Sequence, residues 1–218
     1  IISKSGNTIE TLSNFFTLKI LKKNSKNIII ISEKGNNSLF ELAKKNNLYF
    51  IEHKKHIGGR YSIFSEVGMI PSYLMGLNLD YFKKKIFHHL KYKNINFLKE
   101  SSQILSILLT KNKYNNIVML NYSPELNKFL FWLQQLIAES LGKNGNGFFP
   151  IISTAPKDHH SLMQLYLDGP KDKIFYIFSL KDVNNSPKIN SKQISSKLKF
   201  LKNKRLGQLK KAQKEAFI

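Results

Sequence analysis

The sequence contains no cysteine, which excludes disulfide bonds, thiolate-bound metals and a cysteine nucleophile. It also lacks any apolar run approaching the ~20 residues that are needed to span a bilayer. The first residues have no secretory signal pattern, because Lys4, Asn7 and Glu10 interrupt the apolar stretch. We therefore expect a soluble, cytoplasmic protein that does not insert into a membrane.

Arginine is scarce, since only Arg60 and Arg205 occur in a chain with a formal net charge of +21. Such a charge would suit a nucleic-acid partner or an anionic membrane surface. However, the lysines are scattered, and asparagine, isoleucine and phenylalanine are also abundant, as AT-rich coding favours. A nucleic-acid binder is expected to use arginine at base edges and phosphates. We attribute the charge to composition and predict no nucleic-acid partner, with a basic nucleic-acid-binding protein kept as an alternative.

Strand and helix patterns alternate along the 218 residues, of which 42% are hydrophobic. Short apolar runs bounded by polar residues are typical of strands that are buried on both faces, and amphipathic segments separate them. This alternation predicts an α/β protein with doubly wound, mostly parallel sheets flanked by helices. The predicted strands are 27–32, 48–52, 116–121 and 173–180.

A mostly helical stretch at 61–110 separates the two sets of strands and places a soft domain boundary near residues 95–112. We therefore divide the chain into regions 1–95 and 96–218. The chain begins at Ile1, within what reads as the end of a strand, and stops at Ile218, within a helical pattern. We expect an internal piece of a longer protein.

The segment Ser3-Lys4-Ser5-Gly6-Asn7-Thr8 joins a strand end to the start of a helix. A helix N-terminus offers unpaired N–H groups and a positive dipole end, which suit a phosphate. Three hydroxyls and one ammonium add further donors, and Gly6 allows close approach of the backbone. The alternative is ordinary helix capping, which would explain one hydroxyl but not three.

The segment Gly58-Gly59-Arg60-Tyr61-Ser62 follows a predicted strand. Paired glycines allow a tight turn with a ligand against the backbone. Arg60 supplies a planar, permanently charged fork in a chain that otherwise uses lysine. A structural turn beside a surface arginine is the alternative interpretation.

The helix after Ser123 carries Gln135 and Glu139 four residues apart on one face, roughly opposite its apolar stripe. Phe131 and Trp132 lie on the same side, so we expect this face to be covered. A covered carboxylate has a raised pKa and can act as a base near neutral pH. A solvent-exposed surface charge is the alternative.

His159 and His160 follow Lys157 and Asp158 in a predicted loop. A loop histidine can act as an acid or base near neutral pH, or can be a plain surface residue. Two adjacent histidines without a helical partner or nearby acids do not form a metal site, and we predict no metal.

Together, these four segments resemble the glucose-6-phosphate isomerase family. The resemblance implies a sugar isomerase (SIS) fold in which Ser3, Lys4, Ser5 and Thr8 hold the sugar phosphate. It also implies that region 1–95 is the C-terminal part of a first SIS domain with its connecting helices. Region 96–218 would then be most of a second SIS domain, without its C-terminal end.

The same resemblance implies roles for the remaining residues. Gly59 and Gln135 contact substrate, Arg60 stabilises the enediolate charge, and Glu139 moves a proton between C1 and C2. His160 helps to open the sugar ring and enters the active site of the partner subunit, which implies a homodimer. The implied activity is the interconversion of glucose 6-phosphate and fructose 6-phosphate without a cofactor. A non-catalytic SIS-domain sugar-phosphate sensor is the alternative.

The chain departs from the family pattern in three places. Glu66 stands where the family usually has a small residue, and Lys55 where it has an acidic or small polar one. The C-terminal segment that carries the family's catalytic lysine has no match here, and Lys210, Lys211 and Lys214 lie in a different context. Because the chain covers less than half of a typical member, we expect it to be inactive alone.

Overall fold

The computed structural model describes residues 1–111, 113–180 and 186–218. The chain forms two compact units, Ile1–Leu98 and Lys99–Ile218. The assignment of regions 1–95 and 96–218 to parts of two SIS domains stays a prediction.

The first unit begins with a short parallel sheet and continues into helices. A 3-10 helix at Gly59–Phe64 follows the sheet directly. The other elements are α1 (Ile9–Thr17), β1 (Ile29–Ser32), α2 (Ser38–Asn46), β2 (Tyr49–Glu52), α3 (Glu66–Leu74), α4 (Leu79–His89) and the start of α5 (Tyr92–Thr110).

In this first sheet β1 pairs in parallel with β2, and Ile29 lies opposite Tyr49. The chain start lies on the other side of β1, where Ile2 forms a parallel bridge with Ile31. All three segments run the same way, so the residues that follow them meet at one edge of the sheet. The core beneath is formed by apolar side chains of β1 and α2 and of the residues that flank them, and includes Ile28, Ile30, Leu39, Ala43 and Leu48.

The second unit repeats the strand–helix alternation. Its elements after α5 are β3 (Asn116–Asn121), a 3-10 turn at Pro124–Leu126, α6 (Asn127–Leu141), β4 (Phe149–Thr154), α7 (Met163–Asp168), β5 (Lys173–Phe178) and α8 (Leu206–Phe217). The strands are parallel in the order β4-β3-β5. β3 is central, and its residues from Ile117 to Leu120 are at most 2% exposed.

The α/β class with parallel sheets is confirmed, and β3 occupies the predicted residues 116–121. β4 was not predicted, because Pro150 interrupts its short apolar run. Proline is tolerated there because β4 is at the edge of the described sheet, where one side of the strand needs no hydrogen bonds. Within the described residues, no helix has both the length and the apolar character to cross a membrane.

Candidate active site

The Ser3–Thr8 loop leaves the edge of the first sheet and leads directly into α1. Ser3 is buried, and its Oγ lies 2.7 Å from Thr8 Oγ1, so the two hydroxyls share a hydrogen bond. Gly6 adopts a φ of 67°, and a Cβ at this position would lie 1.8 Å from Asn37 Oδ1. The glycine is therefore required both by the backbone conformation and by the packing against α2.

Among the residues that the structure describes, no side chain caps the N-terminus of α1. Thr8 is the N-cap residue, but its hydroxyl bonds to Ser3 instead of to the helix N–H groups. Asn7 turns the other way, since its Oδ1 accepts a 2.8 Å hydrogen bond from the Ser38 N–H at the start of α2. The alternative of ordinary capping by Ser or Thr is wrong for Thr8. The uncapped helix end is available for an anion, although Glu10 lies in its first turn.

Lys4 connects this loop to the arginine-containing turn. Its Nζ donates a 2.9 Å hydrogen bond to the Ile57 carbonyl and lies 3.6 Å from Glu33 Oε1. A Cβ added to Gly59 would lie 4.0 Å from Lys4 Cδ. Two segments more than fifty residues apart in sequence, the Ser3–Thr8 loop and the Gly58–Arg60 turn, are thus neighbours in the first unit.

The Gly58–Arg60 turn leads into the 3-10 helix Gly59–Phe64, which is fixed from within. The buried Ser62 donates a 2.6 Å hydrogen bond from its Oγ to the Gly59 carbonyl. The Arg60 guanidinium lies 4.9 Å from the ring centroid of Tyr61 and is partly exposed. The Arg60 side chain thus lies against Tyr61 and remains partly accessible to solvent.

A buried pair that the sequence did not indicate anchors the same turn. His53 follows β2 and has a fully buried side chain, and its Nδ1 lies 2.5 Å from Oε1 of Glu66, the first residue of α3. Burial is the largest single influence on Glu66 and opposes its ionisation, but the hydrogen bond and charge of His53 together with backbone hydrogen bonds outweigh it and lower the pKa of the carboxyl. The pair joins the end of β2 to the start of α3, and the Gly58–Arg60 turn lies between these two residues in the sequence. The departure of Glu66 from the family pattern was the only sequence signal of this contact.

Gln135 and Glu139 lie together on the exposed face of α6. Gln135 Nε2 donates a 2.8 Å hydrogen bond to Glu139 Oε1. Leu130, Leu133 and Ile137 pack into the core on the other side of the helix. The predicted pairing of the two polar residues is therefore present, but the expectation that their face is covered is not met, since both are exposed within this chain.

The two adjacent histidines differ in their surroundings. His159 Nε2 lies 2.8 Å from the Tyr122 hydroxyl, and the ring stacks on Phe217. Burial, together with the neighbouring His160, lowers the pKa of His159 below its usual value, which favours the neutral ring, and a neutral ring can accept a hydrogen bond from the Tyr122 hydroxyl. His160 is exposed. Of the two, His160 is the residue that can reach another molecule.

The predicted site residues therefore form three groups. Ser3, Lys4, Ser5, Thr8, Gly59 and Arg60 are all in the first unit, whereas the Gln135–Glu139 pair and His160 are in the second. Among the described residues, no group of three or more His, Cys, Asp or Glu side chains is arranged to hold a metal. The first unit thus carries hydroxyls and a lysine next to the turn with Arg60, and the second carries an exposed amide–carboxylate pair and an exposed imidazole.

Comparison with known proteins identifies related chains. The family model described as phosphoglucose isomerase matches residues 1–147. A probable glucose-6-phosphate isomerase of Methanococcus maripaludis is 37% identical over 203 residues, which is 87% of this chain and 45% of that protein. The glucose-6-phosphate isomerase of Methanocaldococcus jannaschii is 35% identical over 201 residues, which is 89% of this chain and 50% of that protein.

A solved structure is similar along nearly the whole chain. The crystal structure of a hypothetical protein from Thermus thermophilus matches with a TM-score of 0.82 and 26% identity. The match covers 99% of this chain and 55% of that one. The chain thus spans about half the length of the curated relatives it matches, which are covered to 45% and 50%.

Proposed function

The chain belongs to the phosphoglucose isomerase family, and we propose that it supplies much of an active site that interconverts glucose 6-phosphate and fructose 6-phosphate. The observation that carries this proposal is the hydrogen bond from Lys4 Nζ to the Ile57 carbonyl. This bond joins the Ser3–Thr8 loop to the segment that leads into the turn with Arg60, which supports a site for a phosphorylated substrate that develops a second negative charge.

The substrate phosphate binds at the Ser3–Thr8 loop. Ser3, Ser5 and Thr8 hold the phosphate: the Ser5 hydroxyl and one hydroxyl of the hydrogen-bonded Ser3–Thr8 pair donate to phosphate oxygens while the other hydroxyl of the pair orients its partner, and the uncapped N–H groups of α1 add the favourable field of a helix N-terminus. The ammonium of Lys4 supplies a charge-assisted hydrogen bond. This end of the site holds the substrate without taking part in bond changes.

Proton transfer takes place at the other end of the substrate. His160 assists ring opening, and the carboxylate of Glu139 removes the proton from C2 of the open-chain aldose. The electron pair moves to form the C1–C2 double bond, and the C1 carbonyl oxygen becomes the enediolate oxygen. Movement of the hydroxyl proton from O2 to O1 and return of the carbon-bound proton to C1 complete the ketose, and no electrons are gained or lost overall.

Arg60 stabilises the negative charge of the enediolate, because a permanently charged fork is most effective where charge develops in the transition state. Gln135 holds Glu139 in position through their 2.8 Å hydrogen bond and contacts substrate, and Gly59 leaves space against the backbone. The exposed face of α6 is covered in the working enzyme by substrate and by the remainder of the protein. This cover provides the low-dielectric surroundings that a carboxylate base needs.

The proposal includes a cytoplasmic homodimer, since the exposed His160 acts in the active site of the other subunit. It includes sugar phosphates as ligands and neither nucleic acid nor membrane as partner. The exposure of His160, beside a His159 that is held by Tyr122, supports this division of roles.

The test is a coupled assay of fructose 6-phosphate to glucose 6-phosphate, run on the protein that carries this chain. Glu139→Gln keeps the shape and the contact with Gln135 but removes the base, and we expect a loss of several orders of magnitude in kcat. Incubation with fructose 6-phosphate in D2O checks the step directly, since the parent exchanges the transferred proton and the variant does not. A parent that binds substrate but neither turns it over nor exchanges the proton is a sugar-phosphate sensor.

A further inference from the structure

The order of strands in the second sheet opens a crevice that the proposed reaction does not use. The chain passes from β3 to β4 on one side and then crosses to β5 on the other. In parallel sheets, the crevice outside the carboxyl ends of two such strands is where ligands bind. Here a cavity of about 990 Å³ lies at that position, lined by Tyr122 and Ser123 after β3 and by Ser179 and Leu180 after β5.

Two lysines of α8 reach into this cavity from one face of the helix. Lys210 Nζ donates a 3.2 Å hydrogen bond to the Tyr122 carbonyl at the end of β3. Lys214 Nζ donates one of 3.3 Å to Ser179 Oγ at the end of β5. Since an ammonium has three hydrogens, each lysine keeps donors for a ligand. One positive charge thus lies at the end of each strand that borders the crevice.

The rest of the lining favours an anion that also carries hydroxyls. Lys211 also lines the cavity, although it pairs with Glu215 at 3.6 Å, and Glu125 is the only acidic residue among the described lining residues. Gln213 also lines the cavity, and its Oε1 is buried without a hydrogen-bond partner among the described residues. An unpaired buried acceptor is costly unless a ligand or water donates to it, and a ligand hydroxyl is such a donor.

We propose that this crevice is a second binding site for a small phosphorylated polyol. Lys210 and Lys214 hold the phosphate between the ends of β3 and β5, and Gln213 Oε1 accepts a hydrogen bond from a hydroxyl. Leu206, Leu209 and Leu180 form apolar walls against the carbon skeleton. All of these residues belong to the second unit, whereas the Ser3–Thr8 loop belongs to the first, so the site does not depend on the proposed isomerase function.

The experiment is an NMR titration of the chain, first with inorganic phosphate and then with fructose 6-phosphate. The amides of Leu180 and Gly207 report on the crevice, and those of Gly6 and Thr8 report on the loop. We expect both pairs to shift, with separate affinities. In Lys210→Gln/Lys214→Gln the crevice affinity should fall roughly tenfold or more for each lost charge-assisted contact, while the loop affinity stays unchanged.

Two matched variants make the test specific. Lys199→Gln/Lys202→Gln removes the same charge from exposed positions outside the cavity and should leave the crevice affinity within about twofold, since surface charges are screened. Gln213→Met keeps the length of the side chain but removes the acceptor. This variant should weaken the binding of fructose 6-phosphate in the crevice and leave the binding of inorganic phosphate unchanged.

Three results would overturn the proposal. If only the amide signals of Gly6 and Thr8 shifted, the probes would bind at the loop and not in the crevice. Equal weakening by both double-lysine variants would mean that the net charge alone attracts the anion. If Gln213→Met changed the affinity for both probes equally, or for neither, Gln213 would not contact a ligand hydroxyl, and the ligand would not be assigned as a polyol.

Discussion

Replacing Glu66 with glutamine tests whether the His53–Glu66 pair holds the arginine turn in place. The pair joins β2 to α3 through a 2.5 Å contact, and the His53 side chain is 0% exposed while that of Glu66 is 21% exposed. Removing one partner of a fully buried pair costs about 3–5 kcal/mol, and a hydrogen bond to a charged group contributes about 1.5–3 kcal/mol. Because Glu66 is partly solvated, we expect a loss of about 2 kcal/mol in the first unit.

The measurement must distinguish the two units. Native-state hydrogen exchange at the β1 amides of Ile30 and Ile31 gives the opening free energy of the first sheet. Trp132, the single tryptophan, lies in the second unit, and its fluorescence during urea unfolding should be the same in parent and variant. Glu52→Gln is the matched control, because Glu52 contacts Lys54 only at the surface, at 3.7 Å, and such pairs contribute about 0–1 kcal/mol.

The pH dependence of this loss has a definite sign. The pKa of Glu66 is lowered in the folded protein, so its contribution is complete above the unfolded pKa of about 4.3 and is lost as pH falls through the folded value. The difference between parent and Glu66→Gln should therefore be constant near neutral pH and shrink in acid. A difference that is absent at pH 7, or equal to that of Glu52→Gln, would refute the reasoning.

Three further changes test other features. Gly6→Ala should destabilise the first unit by about 2 kcal/mol or more and abolish phosphate binding at the loop, because positive φ and the clash with the neighbouring asparagine add together. Gly145→Ala, where φ is 75° and the space is open, should cost only about 1 kcal/mol, and urea unfolding compares the two. Leu130→Ala removes a fully buried side chain of α6 and should destabilise the second unit by about 3 kcal/mol, measured by tryptophan fluorescence. His159→Gln should lower stability by about 1 kcal/mol through the lost tyrosine contact, whereas His160→Gln should lower activity and leave the urea midpoint unchanged.

Features that depend on local sequence were predictable. β3 was predicted with its observed ends because its apolar residues form one uninterrupted run between polar ones. α6 ends at Leu141, directly before Gly142. The pairing of Gln135 with Glu139 follows from helix geometry alone. In each case the deciding contacts lie within a few residues along the chain.

Features that depend on distant partners were not predictable. Ser123 precedes the helical segment that leads into α6, but within the described part of the chain its side chain does not cap that segment. Its Oγ accepts a hydrogen bond from the Leu180 N–H, 57 residues away. His53 showed no local signal at all, since its partner, Glu66, lies on another element. Whether Glu139 is buried or exposed could not be predicted either, because this depends on which other parts of the protein pack against that face of α6.

The many internal bonds of the Ser3–Thr8 loop determine how binding is divided between enthalpy and entropy. Within the loop the Ser3 and Thr8 hydroxyls bond to each other, and the Gly6 carbonyl accepts a hydrogen bond from the Leu39 N–H. Its Asn7 side chain accepts from Ser38, and Lys4 donates to Ile57. The conformational entropy of the loop is therefore lost during folding and not when the phosphate arrives. Association should be fast and accompanied by little ordering, with desolvation of the anion as the main cost.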